Sequence, residues 1–451
     1  MEESLAILGY QKLTPIQEQV IPLIAKGNNV VVKARTGSGK TAAYAIPLCE
    51  NIDWENRQIQ VLILACTREL VKQIAEEVEL LGKSRKIKVV SLIGKENIEY
   101  QKEELRQRCH VVVATPGRLL DLMQQNSISL GSLRFVVVDE ADYMMSLGFY
   151  EQLHQIFAQW KEKKLQYAFF SATYPEPIKK IIDEFLMEHV TVAIEELASI
   201  RHQYCQVDNK WQALLTYLSQ QDIISAIIFV DTQKMCEMMY QRFHQIGMHV
   251  VRLHGGLQQK TREKNLRDFQ EGKSRILVAT DIAARGLDID KVSHVIHYCM
   301  PNTIDDYIHR CGRSARKEEK GVSLLFSENQ SFLEELAKKY NLQRWDGISQ
   351  EIRTLEETIN YYNMPLERHQ KKQIAQPFST LHLNIGKTKK VRAGDIVGAC
   401  LAIEGITIDD IGTIKVLHAF TYVDVRKEKS DLVIKQLKKI KGKTVKVEKS
   451  R

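Results

Sequence analysis

The chain has 451 residues, which at roughly 150 residues per domain predicts about three domains and excludes a single small module. Hydrophobic residues make up 44% and charged residues 27%, a mix that excludes a disordered or fibrous protein. The formal net charge is +8. No apolar run approaches the ~18 residues that cross a bilayer, and Glu2 and Glu3 stand where a secretory signal needs basic residues. We therefore expect a cytoplasmic protein with no membrane partner.

Short apolar runs alternate with helix-like stretches in the first part of the chain. The predicted strands are residues 29–33, 60–64, 88–92, 110–114, 135–138 and 166–170. Strands separated by helices imply a parallel sheet with helices on both faces. We expect residues 1–196 to form one such domain.

A second series of predicted strands comprises residues 226–230, 249–253, 275–278, 294–298 and 321–326. It predicts a second parallel-sheet domain over residues 201–345, followed by a partly helical connecting region without a strand at residues 346–377.

The last part of the chain shows a different order of elements. Strands are predicted at residues 381–385, 413–417, 421–425 and 444–448, and helices at 393–401 and 430–440. This βαββαβ order describes a small sheet covered on one face, and we assign it to residues 378–451. The expected fold is thus two tandem α/β domains followed by a small α+β domain.

The whole basic excess lies in this last domain. Residues 378–451 contain 16 lysines and arginines against 8 aspartates and glutamates, whereas the preceding residues contain 48 of each. Such a block suits a polyanion as partner, although a lysine-rich surface also serves solubility. The charge alone does not decide between these two interpretations.

A phosphate-binding loop is indicated at residues 34–41, where a predicted strand gives way to a helix. Glycines in such a loop let backbone N–H groups surround phosphate oxygens, while Lys40 reaches the terminal phosphates and Thr41 can bind Mg²⁺. The other residues expected to contact the nucleotide here are Ala34, Thr36, Gly37, Ser38 and Gly39.

Two acidic residues supply the second half of such a site. Asp139 follows the apolar run at residues 135–138, so it should emerge at the carboxyl end of a buried strand, where ligands of open α/β sheets bind. Asp139 can hold Mg²⁺, and Glu140 can orient or deprotonate the attacking water.

Together these motifs resemble the DEAD-box RNA helicases, named for the tetrapeptide at residues 139–142. The resemblance implies two RecA-like domains that use ATP and Mg²⁺ to unwind RNA. It implies that Gln17 reads adenine, that Asp288 contacts the ribose, and that Ser171 and Thr173 couple hydrolysis to strand separation. The arginine fingers would be Arg313 and Arg316, which reach the γ-phosphate from the second domain when the domains close.

The same resemblance places RNA across both domains, opposite the nucleotide. Contacts to phosphates and 2′-hydroxyls would select RNA without reading its sequence. The matching residues are Thr67, Arg68, Gly94, Thr115 and Arg118 in the first domain and His254, Gly255, Gln259, Arg262, Thr280 and Asp281 in the second.

The chain departs from the family pattern at three positions. Cys66 and Leu13 stand where the family has proline, which should remove a constraint on φ rather than a contact. Ala315 replaces the glycine between the two fingers, and its β-carbon is expected to displace Arg316.

The C-terminal part resembles an RNA-recognition motif and, after a DEAD-box core, the tail of the bacterial DbpA/YxiN subfamily. Its aromatic signature keeps Phe420 and Tyr422 but lacks other positions, so base stacking on the sheet is an open alternative to ordinary strand packing. The resemblance implies a hairpin of 23S ribosomal RNA as target, and we expect Lys389, Lys390, Arg392 and Tyr422 to bind RNA. No interface signature is visible, and we expect a monomer.

Three alternatives stand beside this interpretation. The first is a non-enzymatic RNA chaperone with a weakened ATPase, and the second is a general RNA helicase without a ribosomal target. The third is a DNA translocase on the same two-domain core. The presence of Lys40, Asp139, Glu140 and both fingers argues against a lost ATPase.

Overall fold

The structure, a computed structural model, describes residues 12–34, 38–194, 200–284, 292–314, 321–327, 329–347, 353–366 and 378–450. Within these ranges no helix combines the length and apolar character needed to span a membrane.

The first domain contains a seven-stranded parallel sheet with the order β3-β4-β2-β5-β6-β1-β7. Its strands are β1 (Val30–Lys33), β2 (Val61–Leu64), β3 (Val89–Leu92), β4 (Val111–Ala114), β5 (Phe135–Asp139), β6 (Gln166–Ser171) and β7 (Val190–Ala193). Its helices are α1 (Pro15–Ala25), α2 (Lys40–Asn51), α3 (Arg68–Leu81), α4 (Ile98–Leu105), α5 (Pro116–Gln124), α6 (Ala141–Ser146), α7 (Tyr150–Ala158) and α8 (Glu176–Phe185).

Strands β2, β4 and β5 are apolar, apart from Asp139 at the end of β5, because helices cover both faces of the sheet. All residues of β2, β4 and β5 are buried. Strand β6 lies between β1 and β5, so the carboxyl ends of β1 and β5 open onto one edge of the sheet. The phosphate loop and Asp139 therefore lie beside each other.

The second domain repeats this plan with the strand order β10-β11-β9-β12-β13-β8-β14. Its strands are β8 (Ile200–Cys205), β9 (Ala226–Val230), β10 (Val251–Leu253), β11 (Ile276–Thr280), β12 (His294–His297), β13 (Gly321–Phe326) and β14 (Leu342–Arg344). Its helices are α9 (Lys210–Gln220), α10 (Gln233–Gln245), α11 (Gln259–Gln270), α12 (Asp281–Ala284), α13 (Ile304–Cys311) and α14 (Gln330–Lys339), and α15 (Leu355–Asn363) follows in the connecting region.

The C-terminal module, residues 378–450, is an antiparallel sheet with the order β16-β17-β15-β20. Its strands are β15 (Phe378–Leu383), β16 (Ile411–Val416), β17 (Thr421–Arg426) and β20 (Val447–Lys449), with a separate hairpin of β18 (Lys439–Ile440) and β19 (Lys443–Thr444). Helices α16 (Ala393–Leu401) and α17 (Lys427–Gln436) complete the module. The predicted fold class of two parallel-sheet domains and a small α+β domain is confirmed.

Some elements differ from the sequence prediction. Strands β7, β8 and β14 were not predicted, because they lie towards the sheet edges, are short or polar, and lack an apolar run. The helix predicted at residues 430–440 ends at Gln436. Beyond it the chain forms a tight hairpin in which Lys441 and Gly442 both have positive φ, the backbone of a two-residue primed turn.

Candidate active site

The phosphate loop is tied to helix α1 through the side chain of Gln17, which is fully buried. Its Nε2 donates to the Gly39 carbonyl at 3.2 Å, and its Oε1 accepts from the Thr14 backbone N–H at 2.9 Å. Gly39 has a φ of +92°, and a β-carbon there would lie 2.6 Å from Gln17 Nε2. The positive φ therefore favours glycine at this position, and a larger residue would also displace the Gln17 amide.

Helix α2 begins at Lys40 and carries Thr41 on its first turn, so the phosphate loop ends at a helix N-terminus, where N–H groups and the helix dipole favour anions. Lys40 Nζ lies 3.5 Å from the Ala34 carbonyl and 3.9 Å from Asp139 Oδ1. Ser38 is buried beside them. These predicted nucleotide residues are thus brought together around one loop.

Asp139 is held at the end of β5 by hydrogen bonds on both carboxylate oxygens. The Tyr44 hydroxyl donates to Oδ2 at 3.0 Å, and the Glu140 backbone N–H donates to Oδ1 at 2.9 Å. Burial raises the pKa of Asp139, and the nearby Lys40 ammonium opposes that rise. Burial also raises the pKa of Tyr44, together with the Asp139 charge, so Tyr44 stays a donor.

Glu140 adopts a left-handed backbone conformation with φ +52°, which is costly for a residue with a side chain and concentrates at functional sites. Its Oε2 accepts a hydrogen bond from the Cys66 thiol at 3.7 Å. Besides the φ constraint that the sequence predicted to be lost at this position, the thiol thus adds a contact to the carboxylate. Burial raises the pKa of Cys66 well above its usual range, with Glu140 adding to the rise, so the thiol remains protonated.

Asp142 connects Ser171 and Thr173, the predicted coupling residues of the first domain, to the second domain. Its backbone N–H donates to Ser171 Oγ at 3.1 Å, and its Oδ2 accepts from the Thr173 backbone N–H at 2.9 Å and the Thr173 hydroxyl at 3.0 Å. The same Oδ2 lies 3.1 Å from His309 Nε2, which belongs to helix α13. Burial alone would raise the Asp142 pKa, but the His309 and Thr173 hydrogen bonds outweigh it and hold the pKa low.

Arg310, next to His309, is an internal support of the second domain. Its Nε and Nη2 bind the two carboxylate oxygens of Asp281 at 2.7 and 2.6 Å, and its Nη1 donates to the Cys299 carbonyl at 2.7 Å. Asp281, predicted to contact RNA, is thus occupied by this bidentate pair. Thr280 lies buried at the end of β11, and Arg313 is buried just past α13.

A second contact between the domains joins two residues of the predicted RNA motifs. Arg262 Nη2 lies 3.1 Å from Glu69 Oε1, and both side chains are nearly buried. An exposed pair between Lys72 Nζ and Glu263 Oε1 at 3.6 Å lies beside it. Arg262 therefore bridges the domains in this structure.

The remaining RNA candidates of the first domain lie at the ends of strands and the starts of helices. Thr67 caps α3 by accepting from the Leu70 N–H at 3.2 Å, and Arg68 follows it half-exposed. Thr115 is the N-cap of α5, whose Arg118 donates to Gln101 Oε1 at 2.7 Å. A β-carbon at Gly94 would meet no atom within 4 Å, so this loop faces open space.

In the second domain, His254 is buried and its ring is fixed by two hydrogen bonds. The Gly256 N–H donates to Nδ1 at 3.2 Å, so Nε2 carries the proton that faces Glu237 Oε1 at 2.7 Å. Gly255 is exposed, and Gln259 donates to Glu263 at the start of α11. These residues border the Arg262 contact.

The predicted RNA residues of the C-terminal module fall into two groups. Lys389, Lys390 and Arg392 are exposed before helix α16. Tyr422 lies on the sheet, where its ring packs against His382 and Phe420 at 5.6 and 5.4 Å between centroids. The remaining predicted site residues lie outside the described residues, and they are Thr36, Gly37, Asp288, Ala315 and Arg316.

Comparison with known proteins places this geometry in a family. Residues 14–181 match the model of the DEAD/DEAH box helicases, and residues 209–318 match that of the helicase conserved C-terminal domain. The chain is 36% identical to the ATP-dependent RNA helicase DbpA of Bacillus subtilis, over 98% of this chain and 96% of the relative. The chain belongs to the DEAD-box family of RNA helicases. Membership in this family gives RNA-dependent ATP hydrolysis as the activity of the chain. It argues against the non-enzymatic chaperone and the DNA translocase.

Further matches agree with this assignment. DbpA of Escherichia coli K12 is 35% identical over 98% of this chain and 95% of its own length. Residues 380–449 match the DbpA RNA binding domain. Among solved structures, Saccharomyces cerevisiae Dbp5 bound to RNA and ADP BeF3 superposes with a TM-score of 0.68 and 29% identity, covering 76% of this chain and 92% of that one.

Sequence reasoning did not single out His309, Glu69 or Tyr44. His309 opens the predicted finger motif and Glu69 stands within an RNA motif, so their positions offered a signal. The sequence did not indicate their partners, Asp142 and Arg262, because each partner lies in the other domain. Tyr44 is an aromatic residue on an otherwise small-residue helix start, where core packing was the simpler interpretation.

Proposed function

We propose that this DEAD-box helicase opens RNA duplexes locally during assembly of the large ribosomal subunit, while its C-terminal module holds 23S ribosomal RNA. The observation that carries the proposal is the match of residues 380–449 to the DbpA RNA binding domain behind a complete helicase core. The basic excess of residues 378–451 supports an anionic partner for this part of the chain. We propose that the protein works in the cytoplasm as a monomer.

The proposed nucleotide site consists of the phosphate loop and the carboxyl end of β5. Gln17, Ala34, Thr36, Gly37, Ser38 and Gly39 are assigned to ATP, together with Lys40 at the phosphates and Asp288 at the ribose. Thr41 and Asp139 would hold Mg²⁺, and they fit it because Mg²⁺ in nucleotide sites takes one or two oxygen ligands from protein and the rest from phosphate and water. Bound there, the ion would neutralise charge on the phosphates.

Glu140 is proposed to orient and deprotonate the attacking water. Its backbone conformation and its hydrogen bond from Cys66 fix the carboxylate next to Asp139. The γ-phosphate charge that develops during hydrolysis would be stabilised by Lys40 from the first domain and by Arg313 and Arg316 from the second. Hydrolysis then depends on the two domains lying together.

Coupling to RNA is proposed to run through Asp142. This carboxylate binds Thr173 and His309 at once, and its backbone N–H reaches Ser171. A change in domain separation breaks the His309 contact and leaves the Thr173 contacts in place. The state in which the domains are together is therefore the one that both ATP and RNA would favour, each raising the affinity for the other.

The rRNA target is testable with the full-length chain. We would compare binding of a 23S fragment that contains the peptidyl-transferase-region hairpin with binding of a scrambled RNA of equal length, in wild type and in K389Q/K390Q/R392Q. The variant should bind the fragment about tenfold or more weakly, because three phosphate-binding cations are removed. K427Q/K429Q/K435Q on helix α17 removes the same charge and should bind as wild type.

Equal affinity of wild type for the fragment and the scrambled RNA would remove the ribosomal target and leave a general RNA helicase. Unchanged binding by K389Q/K390Q/R392Q would remove these three residues from RNA recognition.

A further inference from the structure

A large cleft separates the first helicase domain from the C-terminal module. Its volume is about 1700 Å³, larger than the roughly 300–1,000 Å³ of pockets for small ligands. One wall consists of the segment at residues 54–59, the end of α4 and the following residues to Cys109. The other consists of residues 390–394 and strand β16. A cleft of this size between two domains suits a segment of a polymer.

The lining of this cleft is positively charged on both walls. Ten lysines and arginines line it, six on the first domain and four on the module, and its lining within the described ranges contains no aspartate or glutamate. Three of the ten are paired with carboxylates just outside the cleft, and these pairs are Lys102 with Glu99, Lys387 with Glu103, and Lys441 with Asp395. The charge that remains favours a polyanion.

Contacts beside the cleft hold its two walls at a fixed distance. Lys83 Nζ lies 3.6 Å from Asp424 Oδ1 in a pair that is about nine-tenths buried. Lys415 of β16 binds Glu104 of α4 at 2.5 Å. A buried pair resists separation, since parting leaves an uncompensated charge behind. On the module side, both contacts are made by strands β16 and β17. RNA bound by the module therefore lies next to the first domain.

The walls also carry groups suited to a nucleic-acid strand besides their cations. Trp54 is 45% exposed, and the Arg108 guanidinium lies 5.8 Å from its ring centroid. Unstacked bases pack on aromatic rings, and arginine adds a cation–π attraction. Opposite them, helix α16 begins at Ala393, and Gly394 on its first turn has open space around it. The Asp395 carboxylate on this turn already accepts from the Arg392 N–H, so the phosphate-binding groups of this wall are the exposed side chains of Lys390 and Arg392.

We propose that this cleft is a composite binding site for the RNA backbone, in which Arg57, Arg106 and Arg108 of the first domain grip the same RNA that the module holds. The site rests on the proposed anchoring role of the module and adds RNA contacts from the first helicase domain. It is separate from the motifs at Thr67 and Thr115. RNA anchored there is fixed to the first domain, so the core unwinds duplex at a set distance from its anchor.

The test uses the full-length chain with the same 23S fragment, in the absence of nucleotide. R57Q/R106Q/R108Q removes three cations from the first-domain wall. K26Q/K179Q/K180Q is the matched control, because these exposed lysines lie on α8 and after α1, at the β1–β7 edge of the same sheet, away from the cleft at the β3–β4 edge. Affinity is measured from 50 mM to 1 M salt, and thermal unfolding and ATPase with generic RNA report folding.

We expect R57Q/R106Q/R108Q to bind about tenfold or more weakly at low salt and to lower the slope of log affinity against log salt by about two to three, with convergence on wild type at 1 M salt. The control should keep both affinity and slope. Unchanged binding by this variant while K389Q/K390Q/R392Q loses affinity would overturn the composite cleft and leave the anchor intact. Unchanged binding by both variants would contradict RNA binding by the cleft and by the module. An equal loss of affinity in the control would mean that the cleft binds RNA only through nonspecific charge.

Discussion

Replacing His309 by alanine removes one of the two described polar contacts that join the helicase domains through largely buried side chains. His309 Nε2 lies 3.1 Å from Asp142 Oδ2, and both side chains are less than a tenth exposed. A hydrogen bond to a charged group contributes about 1.5–3 kcal/mol. The loss corresponds to an equilibrium constant for bringing the domains together that is about 10- to 150-fold smaller.

The assay is ATP hydrolysis at increasing RNA concentration. H309A should need about 10- to 150-fold more RNA for half-maximal stimulation, because RNA must supply the free energy that the contact no longer supplies. ATP binding without RNA should weaken in the same direction, because ATP also favours the state in which the domains lie together. H309Q keeps a side-chain N–H donor and should lose less.

The Asp142 carboxylate should be available to accept the His309 hydrogen bond throughout the neutral pH range. The Asp142 pKa is held low, so its contribution is present at every pH above the ordinary value near 4 and is lost only as pH falls below that range. An H309A variant whose RNA dependence equals wild type would refute the coupling through Asp142. So would an equal loss in H309Q and H309A, which would indicate disturbed packing.

Three further variants test the nucleotide site. E140Q should bind ATP and RNA normally and hydrolyse at least about 100-fold more slowly, as expected for loss of a general base, and wild-type turnover would remove Glu140 from that role. C66A should lower kcat by less than about fivefold, because a thiol is a weak hydrogen-bond donor. C66S should restore kcat, and the pH profile should not change up to pH 9. A larger loss of kcat in C66A would mean that Cys66 does more than position Glu140. G39A should weaken ATP binding and lower the thermal unfolding midpoint by about 2–8 °C, because alanine at φ +92° costs about 1–2 kcal/mol. An unfolding midpoint equal to that of wild type would show that the loop can adjust.

The parts of the fold that local sequence patterns determine were predictable. Strand β2 and residues 135–138 of β5 are buried on both faces and therefore apolar, and the phosphate loop needs Gly39 for its backbone. The position of Asp139 beside Lys40 followed from parallel strands, whose carboxyl ends share one edge of the sheet.

Features that depend on the arrangement of domains were not predictable from local patterns. The partners Asp142 and His309 are far apart in the chain, and so are Lys83 and Asp424. Nothing in the pattern around one member indicates the other. Cys66 illustrates a different limit, since the family pattern marks only the missing proline, while its contact with Glu140 depends on the path of the chain between β2 and α3.

The most direct test of the account is the ATPase rate with no RNA, with generic RNA, and with the 23S fragment that contains the peptidyl-transferase-region hairpin. The account predicts strong stimulation by the fragment at concentrations where generic RNA has little effect. Equal stimulation by both RNAs would contradict the ribosomal target, and absence of hydrolysis with every RNA would contradict the roles assigned to Lys40, Asp139 and Glu140.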